Sequence, residues 1–207
     1  MRSLVRGFIA LSFAALVGCA TGATLRAPSG ESIRVPSVRP GALELVASND
    51  AAYLSADPKD ATGAPGEGKM VTPYVVRLTR DLPVYRLWSG PLVKNERGET
   101  SRMGEWWTFE PPAGTLASFR SRYEVCEIWS SLRWVASCTL KRGSVVVVGP
   151  GQSVSAQTCQ RPPESYPANF RDMQVYIHEA WKQANLKCPP AGADYLDDPV
   201  DISTTSR

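Results

Sequence analysis

The sequence predicts an α+β, strand-rich fold: one small antiparallel-sheet domain with a C-terminal helix and two disulfides. Three observations lead to this prediction. β-Branched and aromatic runs alternate with turn residues from residue 71 onwards, one helical apolar pattern lies near the C-terminus, and four cysteines follow an export-type N-terminus. Each segment is taken in chain order below.

Residues 1–18 are organised as a signal peptide. Arg2 and Arg6 make the start basic, and residues 8–17 are apolar apart from Ser12. A ten-residue helix rises ~15 Å, about half of a bilayer core. The segment is therefore too short to span a membrane and has the length of a signal-peptide apolar region.

The residues Leu16-Val17-Gly18-Cys19 resemble the lipobox of bacterial lipoproteins. The resemblance implies that the Cys19 thiol receives diacylglycerol and that cleavage makes this cysteine the first residue. Acylation of its amine, commonly with palmitate, would add a further chain, and several chains anchor far better than one. Ala20 follows where inner-membrane retention would use Asp, which implies the outer membrane, with the domain facing the periplasm or the cell surface.

Residues 19–70 are rich in Ala, Pro, Ser, Gly and Thr. This composition predicts a lipidated N-terminus followed by a flexible tether. Within it, the apolar piece 42–47 is expected to form a short strand that docks on the domain.

Residues 71–190 are predicted to form the globular β-rich domain. The segments 123–129 and 134–140 alternate polar and apolar residues, as half-buried strands do. The unbroken apolar run 145–148 predicts a central strand. The predicted strands are 74–78, 84–88, 104–109, 123–129, 134–140 and 144–148.

The stretch 169–187 carries two patterns. Phe170, Met173, Ile177, Ala180, Trp181 and Ala184 follow helical spacing, whereas Met173, Val175 and Ile177 also alternate as in a strand. We predict a helix for 178–187 and leave 172–177 open between strand and helix. Residues 191–207 are predicted to be a disordered tail.

Beyond Cys19 the chain has an even number of cysteines: Cys126, Cys138, Cys159 and Cys188. Four cysteines allow three pairings. We favour Cys126–Cys138, on successive predicted strands, and Cys159–Cys188, which would close the C-terminal segment. The wide spacing of the cysteines and the one histidine of the chain argue against a metal site.

Charge gives little indication of a ligand. The chain has 23 basic and 20 acidic residues, and removal of Arg2 and Arg6 with the signal peptide leaves 21 against 20. The absence of a basic tract argues against nucleic acid. Glu124 and Glu127 lie three apart on a predicted strand, point to opposite faces and are expected to be solvated or cross-strand charges.

Tryptophan is concentrated in one part of the domain. Five of the six tryptophans fall within residues 88–134: Trp88, Trp106, Trp107, Trp129 and Trp134. Such residues serve as core and cross-strand pairs, or as a stacking cleft for a ring-shaped ligand or partner. Both interpretations stay open.

Residues 83–177 resemble the ADP-ribosyltransferase-like fold of NAD-cleaving toxins. The elements that carry the resemblance are Tyr85-Arg86, Gly104-x-Trp106-Trp107-Thr108, the Tyr123 strand, the strand 143–149 and Gln174-Val175-Tyr176. The resemblance implies NAD as the cofactor, bound between two small sheets. Arg86 would then bind the pyrophosphate, Trp107 would face nicotinamide, and Gln174 would lie near the scissile bond.

The leading functional prediction is a non-enzymatic envelope lipoprotein without a cofactor. Its domain would bind a protein or cell-wall partner through an aromatic patch, in an accessory or immunity-like role. The alternative is an NAD-cleaving enzyme or an inactive relative of one, which requires Arg86, Trp107 and Gln174 to converge in one cleft.

Overall fold

The computed structural model of the protein describes residues 22–27 and 29–190. The predicted signal peptide 1–18, the lipidation residue Cys19 and the predicted tail 191–207 lie outside the described residues. Within the described residues, no helix has the length and apolar character needed to cross a membrane.

Short strands dominate the described chain. They are β1 Gly22–Arg26, β2 Ser32–Pro36, β3 Leu43–Leu45, β4 Tyr74–Leu78, β5 Leu82–Trp88, β6 Trp106–Thr108, β7 Trp134–Leu140, β8 Val145–Gly151, β9 Asn169–Tyr176 and β10 Leu186–Lys187. Three α-helices accompany them: α1 Ala51–Ser55, α2 Leu116–Tyr123 and α3 Ala156–Cys159. The 3₁₀ turns Ser101–Met103 and Ala180–Lys182 complete the set.

Eight strands form one antiparallel sheet in the order β10-β7-β5-β6-β9-β8-β4-β3. The predicted α+β, strand-rich fold with an antiparallel sheet and two disulfides is confirmed. Predicted strands 74–78, 84–88, 104–109, 134–140 and 144–148 correspond to β4 to β8. The run 145–148 lies between two neighbours as predicted, and the piece 42–47 supplies β3, which pairs with β4.

The main core lies on one face of this sheet. Alternate residues such as Val84, Ala136, Val148 and Val175 point into it, because side chains of a strand alternate between faces. The hairpin β1–β2 pairs in register and covers this face with its own alternate residues, among them Val35, which is 0% exposed.

The tether predicted for residues 19–70 is wrong for the part that the structure describes. Strands β1, β2 and β3 belong to the fold, and Val46, Ala56, Ala61 and Met70 are buried against the second face of the sheet. Several of the Ala, Pro, Ser, Gly and Thr residues of this segment lie within its strands, such as Ala23 and Thr24 in β1. The strands have only three to five residues each, so the composition of the whole segment did not reveal their alternating pattern.

The predicted strand 123–129 and the predicted disulfide pairing are also wrong. Helix α2 runs to Tyr123, and a turn region follows, so that Cys126 does not face Cys138 across a sheet. The disulfides are Cys126–Cys159, which joins this turn region to α3, and Cys138–Cys188, which joins β7 to the segment after β10. The alternation of polar and apolar residues in 123–129 does not follow burial in the folded loop, since Glu124 is 2% exposed whereas Ile128 is 54% exposed.

The open stretch 172–177 is strand, and the helix predicted for 178–187 is wrong. Strand β9 reaches Tyr176, after which Glu179 adopts a left-handed conformation and only the 3₁₀ turn Ala180–Lys182 follows. Leu186–Lys187 then pairs with β7 as β10. The apolar residues of this stretch do have helical spacing. Pairing with the sheet and the Cys138–Cys188 bond nevertheless determine its conformation, because tertiary contacts outweigh a local helical preference.

We predict that the β1–β2 hairpin contributes to global stability. Val35→Asp places an unpaired carboxylate in the core and should lower the free energy of unfolding by at least ~2 kcal/mol. Thr24→Asp, at an exposed position of β1, is the matched control and should change it by less than ~0.5 kcal/mol. Urea unfolding of the full chain measures both; equal stability of the two variants would show that the hairpin is not part of the cooperative fold.

Candidate functional site

A cavity of about 370 Å³ lies on the sheet face opposite the main core. Its floor is formed by β5, β6 and β9, and its roof by α2 and the turn region 124–132. Tyr85 pairs with Thr108, and Thr108 pairs with Gln174. Directly paired residues share a face, so these three side chains lie side by side along the floor.

Aromatic rings form most of the walls. They are Tyr85, Trp106, Phe119, Tyr123 and Trp129. The Phe119 and Tyr123 rings are 4.6 Å apart, and the Trp106 ring packs 5.1 Å from Tyr176. Trp129 is 46% exposed and stands at the rim. The walls therefore offer flat apolar surfaces against which another ring can stack.

Glycine at position 68 lets the rim tryptophan pack closely. A Cβ at Gly68 would lie 3.2 Å from the Trp129 ring, and the residue has a φ of +82°. Both the left-handed backbone and the short contact favour a residue without a side chain. The segment before β4 thus packs against the rim of the roof, and it contributes Glu67 and Lys69 to the cavity wall.

The roof is held by polar contacts and by a disulfide. The Arg120 guanidinium donates hydrogen bonds to the carbonyl oxygens of Val125 at 3.1 Å and Ser130 at 2.7 Å. Burial lowers the pKa of Arg120. The Cys126–Cys159 bond ties the same turn region to α3. Three attachments within a few residues give the cavity a defined shape.

Glu124 closes the inner end of the roof. It follows α2 in a left-handed conformation, with φ 50° and ψ 45°, and is only 2% exposed. The Gln174 Nε2 group donates hydrogen bonds to Glu124 Oε2 at 2.9 Å and to the Tyr123 carbonyl at 3.1 Å. A Cβ at Gly151 would lie 1.7 Å from Glu124 Oε2, so glycine at this position makes room for the carboxyl group.

Burial raises the pKa of Glu124 to about 9, and the nearby Asp172 carboxylate adds to the effect. Hydrogen bonding to the Gln174 side chain and to the Asn169 backbone opposes the shift and does not cancel it. At neutral pH the group is therefore a protonated, uncharged carboxylic acid.

An ion-pair network lies beside this acid. Arg122 Nη2 contacts Glu110 Oε2 at 2.7 Å and Asp172 Oδ1 at 2.5 Å. Burial opposes ionisation of Asp172, but hydrogen bonds from Arg122 and Asn169 hold its pKa below the usual range. The Tyr123 hydroxyl donates to Glu110 at 3.3 Å, which fixes the ring in the wall. One guanidinium thus pairs with two carboxylates beside the cavity.

The three residues of the NAD interpretation do not form the expected constellation. Arg86, Trp107 and Gln174 all contribute to the cavity wall, but the Arg86 and Trp107 side chains leave the opposite face of the sheet from Gln174. Arg86 pairs with Ala136, whose methyl group is in the main core, and Trp107 is buried in that same core.

The polar groups of Arg86 and Trp107 are used within the protein. Arg86 donates hydrogen bonds to the backbone oxygens of Ser101 at 2.9 Å and Trp106 at 2.7 Å, and Trp107 Nε1 donates to the Gly104 oxygen at 2.7 Å. Burial lowers the pKa of Arg86 to about 10. Arg86 therefore braces the loop before β6 rather than facing the cavity.

Sequence reasoning found Gln174 and missed Glu124. The expectation that Glu124 is a solvated charge is wrong because the strand on which it rested is a helix end. Phe119 and Tyr123 are four residues apart, a spacing that indicates the helix. No neighbouring residue in the sequence indicates that Glu124, which follows Tyr123, is buried. Only the packing of α2 across the sheet places Glu124 beside Gln174.

Comparison with protein-family models, with curated proteins and with solved structures found no match. The site is therefore interpreted from its own geometry. Among the described residues, no group of three or more His, Cys, Asp or Glu side chains is placed to hold a metal ion.

We predict a pH-dependent stability that originates at Glu124. Its pKa is about 9 in the fold, against an ordinary value of 4.5, so the folded state binds more protons between these pH values. The stabilisation is fully present below pH 4.5 and is lost as pH rises through 9. Thermal melts of the wild-type chain should show Tm falling by ~2–4 °C for each kcal/mol lost.

Glu124→Gln is the matched control, since it keeps the shape and cannot ionise. Its Tm should vary less with pH between 5 and 9 than that of the wild type. Parallel pH profiles for the two proteins would show that Glu124 does not titrate in this range.

Proposed function

We propose that the chain is an envelope lipoprotein, anchored to the outer membrane by acyl chains on Cys19 and facing the periplasm or the cell surface. The signal-peptide pattern of residues 1–18 and the lipobox Leu16-Val17-Gly18-Cys19 support this proposal. The two disulfides support it further, because such bonds persist in oxidising compartments and are rare in the cytosol.

The folded domain binds a cell-wall glycan by taking a sugar ring into the aromatic cavity. The observation that carries this proposal is the set of five aromatic side chains around one concave space of about 370 Å³. That volume lies in the range of ligand pockets, roughly 300–1,000 Å³. A protein partner would instead require a broad interface of ~800 Å² on each side.

The electrostatics of the cavity favour an uncharged ligand. The carboxyl of Glu124 is protonated at neutral pH, and Gln174 beside it is neutral. Lys69, at the opposite wall, is paired with Asp60 at 2.9 Å. Glu67, in the same wall, accepts a hydrogen bond from the Ala64 backbone N–H at 3.0 Å. The apolar face of a neutral sugar ring can stack on the aromatic walls.

A second candidate is binding or cleavage of NAD, as the ADP-ribosyltransferase-like resemblance implies. The position of Gln174 in the cavity wall favours it. The place of Arg86 on the opposite face leaves the pyrophosphate without its expected partner. The convergence of Arg86, Trp107 and Gln174 that this candidate requires is not met. The candidate is therefore ranked second and kept as an alternative outcome of the test.

We predict that Trp129→Ala in the full chain, purified in mild detergent, weakens retention on isolated cell-wall sacculi by roughly tenfold, equivalent to ~1.4 kcal/mol. Trp129 lines the cavity and is 46% exposed, so its removal should spare the fold. Trp181→Ala is the matched control, because Trp181 is 57% exposed and is not part of the cavity wall. It should bind as the wild type does.

Equal retention of both variants, or no retention of the wild type, would contradict the glycan proposal. The same preparations are incubated with NAD, and release of nicotinamide is followed. Release that Gln174→Ala abolishes would move the second candidate to first place.

A further inference from the structure

The inner end of the cavity contains a buried polar atom without a partner. Glu124 Oε1 is buried and has no hydrogen-bond partner among the described residues. Its sister oxygen Oε2 accepts from Gln174 Nε2 at 2.9 Å. A carbonyl oxygen is the better acceptor, so in the protonated acid the hydroxyl is at Oε1, where it is a free donor.

Gln174 supplies the complementary group. Its Nε2 donates to both the Tyr123 carbonyl and Glu124 Oε2, and these two bonds fix the orientation of the amide. No hydrogen bond from a described residue reaches Gln174 Oε1. The residue that carries this acceptor is bonded to Glu124 through its Nε2, is 7% exposed and forms part of the cavity wall.

A free donor and a free acceptor on two hydrogen-bonded residues match one common neutral group. An amide presents a carbonyl oxygen that accepts and an N–H that donates. Buried polar groups left unpaired are unfavourable, so a ligand that pairs both groups is selected over one that does not.

We propose that Glu124 and Gln174 recognise an amide carried on the ring that enters the aromatic cavity. The inference rests on the proposed function and names its substrate class: a ring with an N-acetyl or carboxamide substituent. An N-acetylated sugar of the cell wall and the nicotinamide of a dinucleotide share this chemistry.

The titratable and charged groups that face Glu124 or the cavity from the surrounding elements are Glu67, Lys69, Tyr85, Glu110, Arg122, Tyr123 and Asp172. Glu110 and Asp172 are paired with Arg122, and burial raises the pKa of Tyr123. Because several groups surround the acid, the contribution of Glu124 is isolated by comparison with Glu124→Gln.

The test uses the full chain in mild detergent and isothermal titration with two probe pairs. The first pair is N-acetylglucosamine and glucose, which has a hydroxyl in place of the acetamido group. The second is nicotinamide and methyl nicotinate, whose ester has no N–H. In at least one pair the amide should bind at least tenfold more tightly than its partner, and the responding pair identifies the source.

Variants at position 124 connect this selectivity to Glu124. Glu124→Leu should lose the preference for the amide at pH 7, whereas Glu124→Gln, whose side chain also has a donor and an acceptor, should keep it. Between pH 7 and pH 10 the wild type should lose the preference as the acid ionises, and Glu124→Gln should retain it.

Equal binding of both members of each pair would overturn the inference, as would failure of all four probes to bind. If Glu124→Leu does not fold, parallel loss of the preference by the wild type and Glu124→Gln with rising pH would overturn it as well. Sacculus binding that depends on Trp129 without amide selectivity would leave the proposed function standing and remove only this inference.

Discussion

The register in which β6 joins β5 to β9 decides which side chains form the floor of the cavity. Tyr85, Thr108 and Gln174 stand opposite one another and share one face. Because side chains alternate along a strand, a slip by one residue would exchange this face with the core. The register therefore places Arg86 with the core and Gln174 with the cavity.

Both faces of the sheet are apolar, so other parts of the chain must pack against each of them. The β1–β2 hairpin covers the main core, while α1 and the residues before β4 cover part of the other face. The roof over β5, β6 and β9 leaves a cavity. Its Cys126–Cys159 bond spans 33 residues, and a loop of that size removes roughly 3–4 kcal/mol of chain entropy from the unfolded state. A small helix with a long turn is thereby kept in place.

Burial of the Glu124 carboxyl group lowers the stability of the folded protein. A buried acid must stay protonated, and its unpaired oxygen forfeits a hydrogen bond worth ~1–3 kcal/mol. Gly151 is the smallest residue at the one point where a side chain would collide with this carboxyl. An arrangement that is unfavourable for folding and lies in the wall of a cavity is typical of a binding group.

The sequence by itself determined the strand-rich class and most strands of the sheet. Strands β4, β5, β7 and β8 contain runs of β-branched and aromatic residues that are long enough to indicate a strand without knowledge of the tertiary structure. It also singled out Gln174. Only the tertiary structure decided that the residues from Gly22 fold, that Cys126 pairs with Cys159, and that Glu124 is buried beside Gln174. The physical reason is that these features depend on contacts between residues distant in sequence, and neither composition nor periodicity over a few residues records which distant segment will cover which face.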